Sequence, residues 1–355
     1  TLFGYEYGCY SDEREAPLKP HYRAVLWHLE NGKNDKGILE TLRNRALLSR
    51  ADIYFFPAVD IGMARSGNHN AVRDLAIELG YNYFFVTSYL NLNAIDPDYP
   101  EPTPNKLGLE GNAIMTRLPI SNLRVIPVHE QTDLMQGRVK KIGCQKALLA
   151  DLILSENKKI TIVCVNLPEN TSPGQRARSM KRILHKIKKE GGSHPVLLAG
   201  DLKTSAYDTR GPWAFFMSLM NKTYRGLDYI IQEHHTAPEK FFEKKLFDSF
   251  HDAGFDYEAL NEPGVGTFHS QLQGLLSSRF AGHGPVKLLQ KLLKKYDEQF
   301  SFKYDWFAGN HCIRASQRHQ AERPKVITHL IHDGKPISAH DPVLLDFELV
   351  YEMVG

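Results

Sequence analysis

Short apolar runs typical of β-strands alternate with amphipathic helices through both halves of this 355-residue chain, and this alternation constrains the fold most strongly. The runs that we interpret as strands cover residues 23–29, 51–56, 83–86, 111–116, 148–154, 160–165 and 196–198. Between them, apolar residues recur at helical spacing over residues 37–48, 70–79 and 175–189. Strands interleaved with helices in this way predict an α/β architecture of two stacked mixed sheets with helices outside.

The composition is that of an ordinary globular protein. Hydrophobic residues make up 42% of the chain and charged residues 24%, which is enough to bury a large core. The net charge of +3 is too small to indicate nucleic-acid binding. No apolar run approaches the roughly 20 residues of a membrane span, so we expect no transmembrane segment. The sequence does not predict an oligomeric state.

The four cysteines, Cys9, Cys144, Cys164 and Cys312, lie far apart and lack the spacing of metal ligands. Cys164 falls inside the apolar run 160–165, which predicts a buried thiol rather than a disulfide. This pattern favours a reducing, cytoplasmic compartment.

Five motifs follow one another in a recognisable order: DIGMARSGN at 60–68, GNAIMTR at 111–117, AGDLKTS at 199–205, YDW at 304–306 and SAHDPV at 338–343. Together they resemble the endonuclease/exonuclease/phosphatase superfamily, which includes pancreatic deoxyribonuclease, neutral sphingomyelinases and inositol polyphosphate 5-phosphatases. The resemblance covers residues 22–349. It implies a single domain over residues 1–355 with the four-layered α/β sandwich of the deoxyribonuclease-I-like fold. It also implies hydrolysis of phosphoesters with a divalent metal held by acidic side chains.

The resemblance identifies eight site positions in this chain, and five of them differ from the family. Asp201, Asp305 and His340 retain the catalytic residues of the family. The family's Asn, Glu, His, Asn and Asp are replaced by His28, Ala58, Leu167, Lys203 and Ala339. Glu169 and Asn170 match the family and set the alignment of Leu167. Because alanine has no lone pair to offer and Mg²⁺ requires oxygen ligands, we expect the family Mg²⁺ site to be lost.

Neighbouring residues refine this expectation. Asp60 could replace the missing glutamate only through a different strand register. Asp341 directly follows His340, but the period-two alternation of extended chain predicts that its side chain faces the opposite way. Lys203 is expected either to form a direct ion pair with Asp201 or to lie on the surface at a strand end. His28 is expected in the site floor by resemblance, or half exposed at a sheet edge otherwise.

Five changes concentrated in the site indicate a degenerate active site on a retained fold, so we expect a pseudoenzyme. Its expected ligand is an anionic or phosphate-bearing molecule or a protein partner, with His28, Lys203 and Asn112 as candidate binding residues. The alternative is an active hydrolase with metal-independent or altered-metal chemistry, in which Lys203 and His28 supply positive charge. A third hypothesis is a scaffold whose cleft binds nothing. The basic amphipathic helix predicted at 286–295 either meets a membrane or acidic partner or is simply solvated.

Overall fold

The computed structural model describes residues 4–12, 18–97, 102–128, 134–135, 138–168, 171–190, 194–204, 217, 235–271, 299–316 and 323–350. The helix predicted at 286–295, and also Glu169 and Asn170, lie outside the described residues. The helices are α1 (Asp35–Asn44), α2 (Ala71–Leu79), α3 (Pro173–Glu190) and α4 (Lys244–Asp252). The strands are β1 (Tyr5–Gly8), β2 (Tyr22–Leu26), β3 (Ile53–Ile61), β4 (Asn82–Asn91), β5 (Leu109–Thr116), β6 (Ile120–Pro127), β7 (Lys141–Gly143), β8 (Lys146–Ser155), β9 (Lys158–Asn166), β10 (Val196–Asp201), β11 (Phe255–Asp256), β12 (Phe268–Gln271), β13 (Gln299–Phe302), β14 (Asp305–Asn310), β15 (Ile313–Ala315), β16 (Lys325–Val326), β17 (Ile331–His332), β18 (Lys335–Pro336) and β19 (Val343–Leu349).

Two mixed sheets contain most of the described strands. The first has nine strands in the order β1-β4-β5-β3-β2-β19-β15, with β7 paired to β4 and β16 paired to β19. The second has six strands in the order β11-β14-β10-β9-β8-β6. Each sheet contains one parallel pair, β2 with β3 and β9 with β10. The strand pairs β12–β13 and β17–β18 form two small separate sheets.

Three apolar clusters show how the layers stack. The cluster between the two sheets joins Phe55 of β3 to Ile162 of β9 and Leu197 of β10. A second cluster packs the outer face of the first sheet against α1 and α2, and a third packs the outer face of the second sheet against α3 and α4. Helices, sheet, sheet and helices therefore form four layers. This confirms the predicted α/β sandwich.

Local sequence explains where the helices of the first layer begin and end. Asn34 and Asn70 precede α1 and α2, and their side chains accept hydrogen bonds from the backbone N–H groups of Gly37 and Arg73. Gly80 ends α2 in the left-handed conformation, with φ of 69°, which glycine adopts without steric cost. None of the helices in the described part of the chain is both long and apolar enough to cross a membrane.

A β-bulge interrupts β3 at Ala58, one of the eight site positions that the family resemblance identifies. The register with β5 shifts between Phe56 and Val59. The residues at the bulge are Pro57, which has no N–H for the ladder, and Ala58, whose φ is 53°. Beyond the bulge, β3 continues to Ile61, so the first two residues of the DIGMARSGN motif belong to this strand.

Candidate functional site

The retained site positions come together where strands of the two sheets end side by side. Asp201 ends β10 and lies opposite Asp305, the first residue of β14. His28 follows β2 and His340 precedes β19, and these two strands are paired in the other sheet. We call His28, Asp201, Lys203, Asp305 and His340 the Asp201 cluster. All five residues are buried.

His340 is held in a defined orientation by Asp305. The imidazole Nδ1 lies 2.7 Å from Asp305 Oδ2, and because an ionised carboxylate only accepts hydrogen bonds, Nδ1 carries the proton. Thr267 donates its hydroxyl to the same oxygen at 2.7 Å and accepts the backbone N–H groups of Tyr304 and Asp305. The Nε2 lone pair of His340 therefore faces the cluster, so this Asp–His dyad can accept a proton there.

His28 offers the cluster a hydrogen-bond donor, whereas His340 offers an acceptor. Its ring stacks on that of His340, with centroids 4.2 Å apart and planes 12° from parallel. The backbone N–H of Glu30 donates to His28 Nδ1 at 3.1 Å, so in the neutral ring Nε2 carries the proton. Burial, followed by the neighbouring His340 and Lys203, holds the pKa of His28 well below its ordinary value. His28 is thus a neutral hydrogen-bond donor beside a histidine acceptor.

Lys203 forms the ion pair with Asp201 that the sequence predicted. Its ammonium lies 2.6 Å from Asp201 Oδ2. The backbone N–H of Lys203 donates to Asp201 Oδ1 at 3.0 Å, and the residue has a left-handed φ of 51°. Burial raises the pKa of Asp201, and the Lys203 ammonium opposes that rise. The surface alternative for Lys203 does not apply, because its side chain is buried.

The structure corrects the alignment around Leu167. Leu167 packs in the outer apolar cluster beneath α3, so it does not face the Asp201 cluster. Asn166, the last residue of β9, is paired with Asp201 across the parallel ladder. Cys164 belongs to the cluster between the sheets, and two residues on the same strand share a face, so Asn166 faces inward as well. Asn166 was not predicted as a site residue because the match of Glu169 and Asn170 to the family pattern places Leu167 at that position.

Three other site positions are explained by backbone contacts. Asn112 accepts the N–H of Ala58 at 3.1 Å and donates to the carbonyl of Lys146 at 2.7 Å, so both ends of its amide are engaged by the backbone. Ala339 donates its N–H to Glu30 at 3.2 Å. Ala58 and Ala339 contribute only methyl groups where the family resemblance implies carboxylates.

The donor atoms of His28, Asp201 and His340 lie within 4.8 Å of one another, which is close enough to hold a metal ion. Two observations weigh against an ion there. The proton on His28 Nε2 occupies the position from which that nitrogen would bind a metal. The ammonium of Lys203 already lies against the one carboxylate of the group. The donor set does not fit Mg²⁺, which takes oxygen ligands in near-octahedral geometry.

The DIGMARSGN motif forms a separate set of ion pairs. Arg65 contacts Asp60 Oδ2 at 2.7 Å, Glu110 at 3.1 Å and Asp96 at 3.5 Å. Lys141 contacts Glu110 at 2.6 Å. We call these five residues the Arg65 cluster. Asp60 is committed to this cluster and does not replace the glutamate missing at Ala58.

The fold is similar to solved structures of the endonuclease/exonuclease/phosphatase family, although the sequences differ widely. A family protein from Beutenbergia cavernae DSM 12333 matches with a TM-score of 0.55 and 14% identity, over 95% of this chain and 74% of that chain. The human Nocturnin catalytic domain with bound sulfate anion matches with a TM-score of 0.53 and 14% identity, over 98% of this chain and 97% of that chain. A family protein from Bacteroides thetaiotaomicron matches with a TM-score of 0.50 and 12% identity, over 93% of this chain and 98% of that chain. No protein-family model and no curated protein matches the sequence. The predicted resemblance is confirmed in the fold.

Proposed function

We propose that this protein, which has the fold of the endonuclease/exonuclease/phosphatase family, is a pseudoenzyme that binds a phosphate-bearing ligand without metal-dependent hydrolysis. The Lys203–Asp201 ion pair is the observation that carries this proposal. In the family pattern, Asp201 helps to attract a divalent cation. Here the ammonium of the Lys203 side chain neutralises the Asp201 carboxylate. Ala58 and Ala339 supply no further negative charge.

The hydrogen-bonding pattern of the cluster favours a phosphate group as the ligand. His28 Nε2 and the Lys203 ammonium are donors, whereas His340 Nε2 is an acceptor. Asn166 Oδ1 is a buried acceptor with no hydrogen-bond donor among the described residues, and Asp201 Oδ2 is an acceptor that lies against the Lys203 ammonium. A protonated phosphate has oxygens that accept and hydroxyl groups that donate, so it complements both kinds of group. Sulfate, which has no hydroxyl at neutral pH, complements only the donors.

Calorimetric titration with inorganic phosphate tests the ligand. We expect phosphate to bind at least tenfold more tightly than sulfate, and Lys203→Met to weaken phosphate binding at least tenfold. Lys159→Met is the matched control, since it removes the same charge from a lysine side chain that is 43% exposed and pairs with Asp151, and we expect less than a twofold change. Equal losses in the two variants would contradict the assignment of Lys203. Lys203→Met leaves the buried Asp201 carboxylate without its paired ammonium, which can itself cause misfolding. The double variant Lys203→Met/Asp201→Asn removes both charges, so it separates a loss of binding from misfolding.

Titration with Mg²⁺ and Mn²⁺ tests the loss of metal chemistry. We expect no saturable heat at millimolar metal in the wild type. The combined variant His28→Asn, Ala58→Glu, Lys203→Asn and Ala339→Asp removes the ammonium and restores oxygen ligands, so it is expected to gain divalent-metal affinity at least tenfold. Stoichiometric metal uptake by the wild type that disappears in Asp201→Asn would contradict the proposal.

A metal-independent hydrolase is the second candidate, and the oriented Asp305–His340 dyad is the observation that favours it. As a pseudoenzyme, the protein should turn over bis-p-nitrophenyl phosphate only at the background rate, and His340→Ala should not change that rate. Turnover that is insensitive to EDTA, is lost in His340→Ala and Lys203→Met, and persists in Lys159→Met would establish the hydrolase instead.

A further inference from the structure

A cavity of about 600 Å³ lies on the other side of the segment that carries His340. Its floor includes Ser338, Ala339 and Asp341. The β17–β18 hairpin and the residues before it form one wall, through Leu330, Ile331 and Pro336. Glu30 and His269 line the cavity as well, and no residue of the Asp201 cluster does.

The direction of the Asp341 side chain separates this cavity from the Asp201 cluster. His340 binds Asp305, whereas Asp341 accepts a hydrogen bond from His269 Nε2 at 2.8 Å. The backbone N–H of Asp341 donates to the carbonyl of Thr267, which fixes the residue. The two neighbouring side chains therefore serve different sites, as the alternation of extended chain predicted.

Charge and polarity define what the cavity can hold. Glu30 and Asp341 supply carboxylates, and the described residues that line the cavity include no lysine or arginine. Asp341 is only 8% exposed, and its carboxylate retains acceptor capacity beyond the bond from His269. Glu30 is already paired with Lys33 at 3.1 Å, but both side chains are exposed and such pairs are weak. Asp341 is therefore the principal charge in the cavity.

We propose that this cavity is a binding site for an alkylammonium group, carried either by a small amine or by a lysine side chain of a peptide. The carboxylate of Asp341 pairs with the ammonium, and the apolar wall of Leu330, Ile331 and Pro336 covers the attached methylene groups. An anion is repelled by both carboxylates. A neutral ligand leaves the buried Asp341 without a partner charge. This inference is independent of phosphate binding at the Asp201 cluster.

Ligand-observed NMR titration at pH 8, where histidines are ordinarily neutral, tests the site on the full chain. The probes are n-butylamine, n-butanol and butyrate, which share one alkyl chain and differ in charge. We expect n-butylamine to bind at least tenfold more tightly than the other two. Nα-acetyl-lysine methylamide, compared with n-butylamine, distinguishes a peptide side chain from a free amine as the preferred source of the ammonium.

Three variants connect the binding to this cavity. Asp341→Asn keeps the shape and an acceptor for His269 but removes the charge, so we expect at least a tenfold loss of n-butylamine affinity. Asp333→Asn removes the same charge from the tip of the β17–β18 hairpin, where the side chain is 90% exposed, and is expected to change the affinity less than twofold. Ile331→Trp places a larger side chain in the cavity from an exposed position, so it should abolish n-butylamine binding without disturbing the fold. This variant tests the site even if Asp341→Asn does not fold. Equal binding of n-butylamine and n-butanol, or full affinity in both Asp341→Asn and Ile331→Trp, would overturn the inference.

Discussion

The Arg65 cluster and the Asp201 cluster both contain buried carboxylates, yet they differ in whether every buried oxygen receives a hydrogen bond. In the Arg65 cluster, Asp60 receives two hydrogen bonds from Arg65 and one from Asn31, and Glu110 receives one each from Arg65 and Lys141. In the Asp201 cluster, the Lys203 ammonium lies 2.6 Å from Asp201 Oδ2, but Asp305 Oδ1 is buried with no hydrogen-bond donor among the residues that the structure describes. Folded proteins rarely leave buried acceptors in this state.

The difference indicates distinct roles for the two clusters. A cluster that satisfies itself stabilises the fold and has little capacity left for a ligand. A cluster with an unsatisfied buried oxygen and stacked histidines keeps that capacity. The Asp201 cluster is therefore not equivalent to ordinary core. The predictions below test this contrast, beginning with the largest expected effect.

Replacing Arg65 should be the most damaging change. Arg65→Met removes the cation shared by Asp60, Glu110 and Asp96, and it leaves the buried Asp60 carboxylate without a paired cation among the described residues. Breaking a buried ion pair from one side costs about 3–5 kcal/mol. We expect a loss of that size in the free energy of unfolding, measured by urea denaturation. Arg43→Met is the control, because its pair with Glu78 is exposed and should contribute less than about 1 kcal/mol. Equal losses in the two variants would refute the structural role of the Arg65 cluster.

Acid stability should distinguish Glu110 from an exposed glutamate. Burial alone would raise the pKa of Glu110, but attraction to Lys141 and Arg65 outweighs burial and lowers the pKa to about 2. A carboxyl whose pKa falls on folding stabilises the protein above its unfolded value of 4.5, and this stabilisation is lost as the pH falls toward 2. The contribution is on the order of 3 kcal/mol. Glu110→Gln should remove this part of the pH dependence of unfolding, whereas Glu78→Gln should not.

The overall architecture could be predicted because its signals are local and repeated. Apolar runs and helical periodicity indicated most strands and helices, and five ordered motifs indicated how they stack. The site was harder to predict because it depends on register and long-range contacts. A one-residue alignment error exchanged Asn166 for Leu167, since successive residues of a strand face opposite sides. Thr267, which supports Asp305 from 38 positions away in sequence, belonged to no motif. The bulge at Ala58 was also not apparent from the apolar pattern.

Asn112 tests whether a motif residue of β5 is structural or binds ligand. Asn112→Ala leaves the N–H of Ala58 and the carbonyl of Lys146 without their partner, which costs about 1–3 kcal/mol for a buried group. We expect that loss in urea denaturation, with phosphate affinity changed less than twofold. Unchanged stability together with lost phosphate binding would instead make Asn112 a ligand-binding residue, as the sequence analysis suggested.

The smallest expected effect concerns the backbone at Ala58, where the missing carboxylate and the bulge coincide. A left-handed φ of 53° costs a residue with a Cβ about 1–2 kcal/mol. Ala58→Gly removes that cost but adds about 0.5–1 kcal/mol of chain entropy in the unfolded state, so a net stabilisation of roughly 0.5 kcal/mol is expected. Ala113→Gly is the matched control on the paired strand β5, where no left-handed conformation exists to relieve, and it should destabilise. If Ala58→Gly destabilises as much as Ala113→Gly, the backbone conformation at Ala58 is not strained. The difference between the Arg65 cluster and the Asp201 cluster is then confined to their side chains.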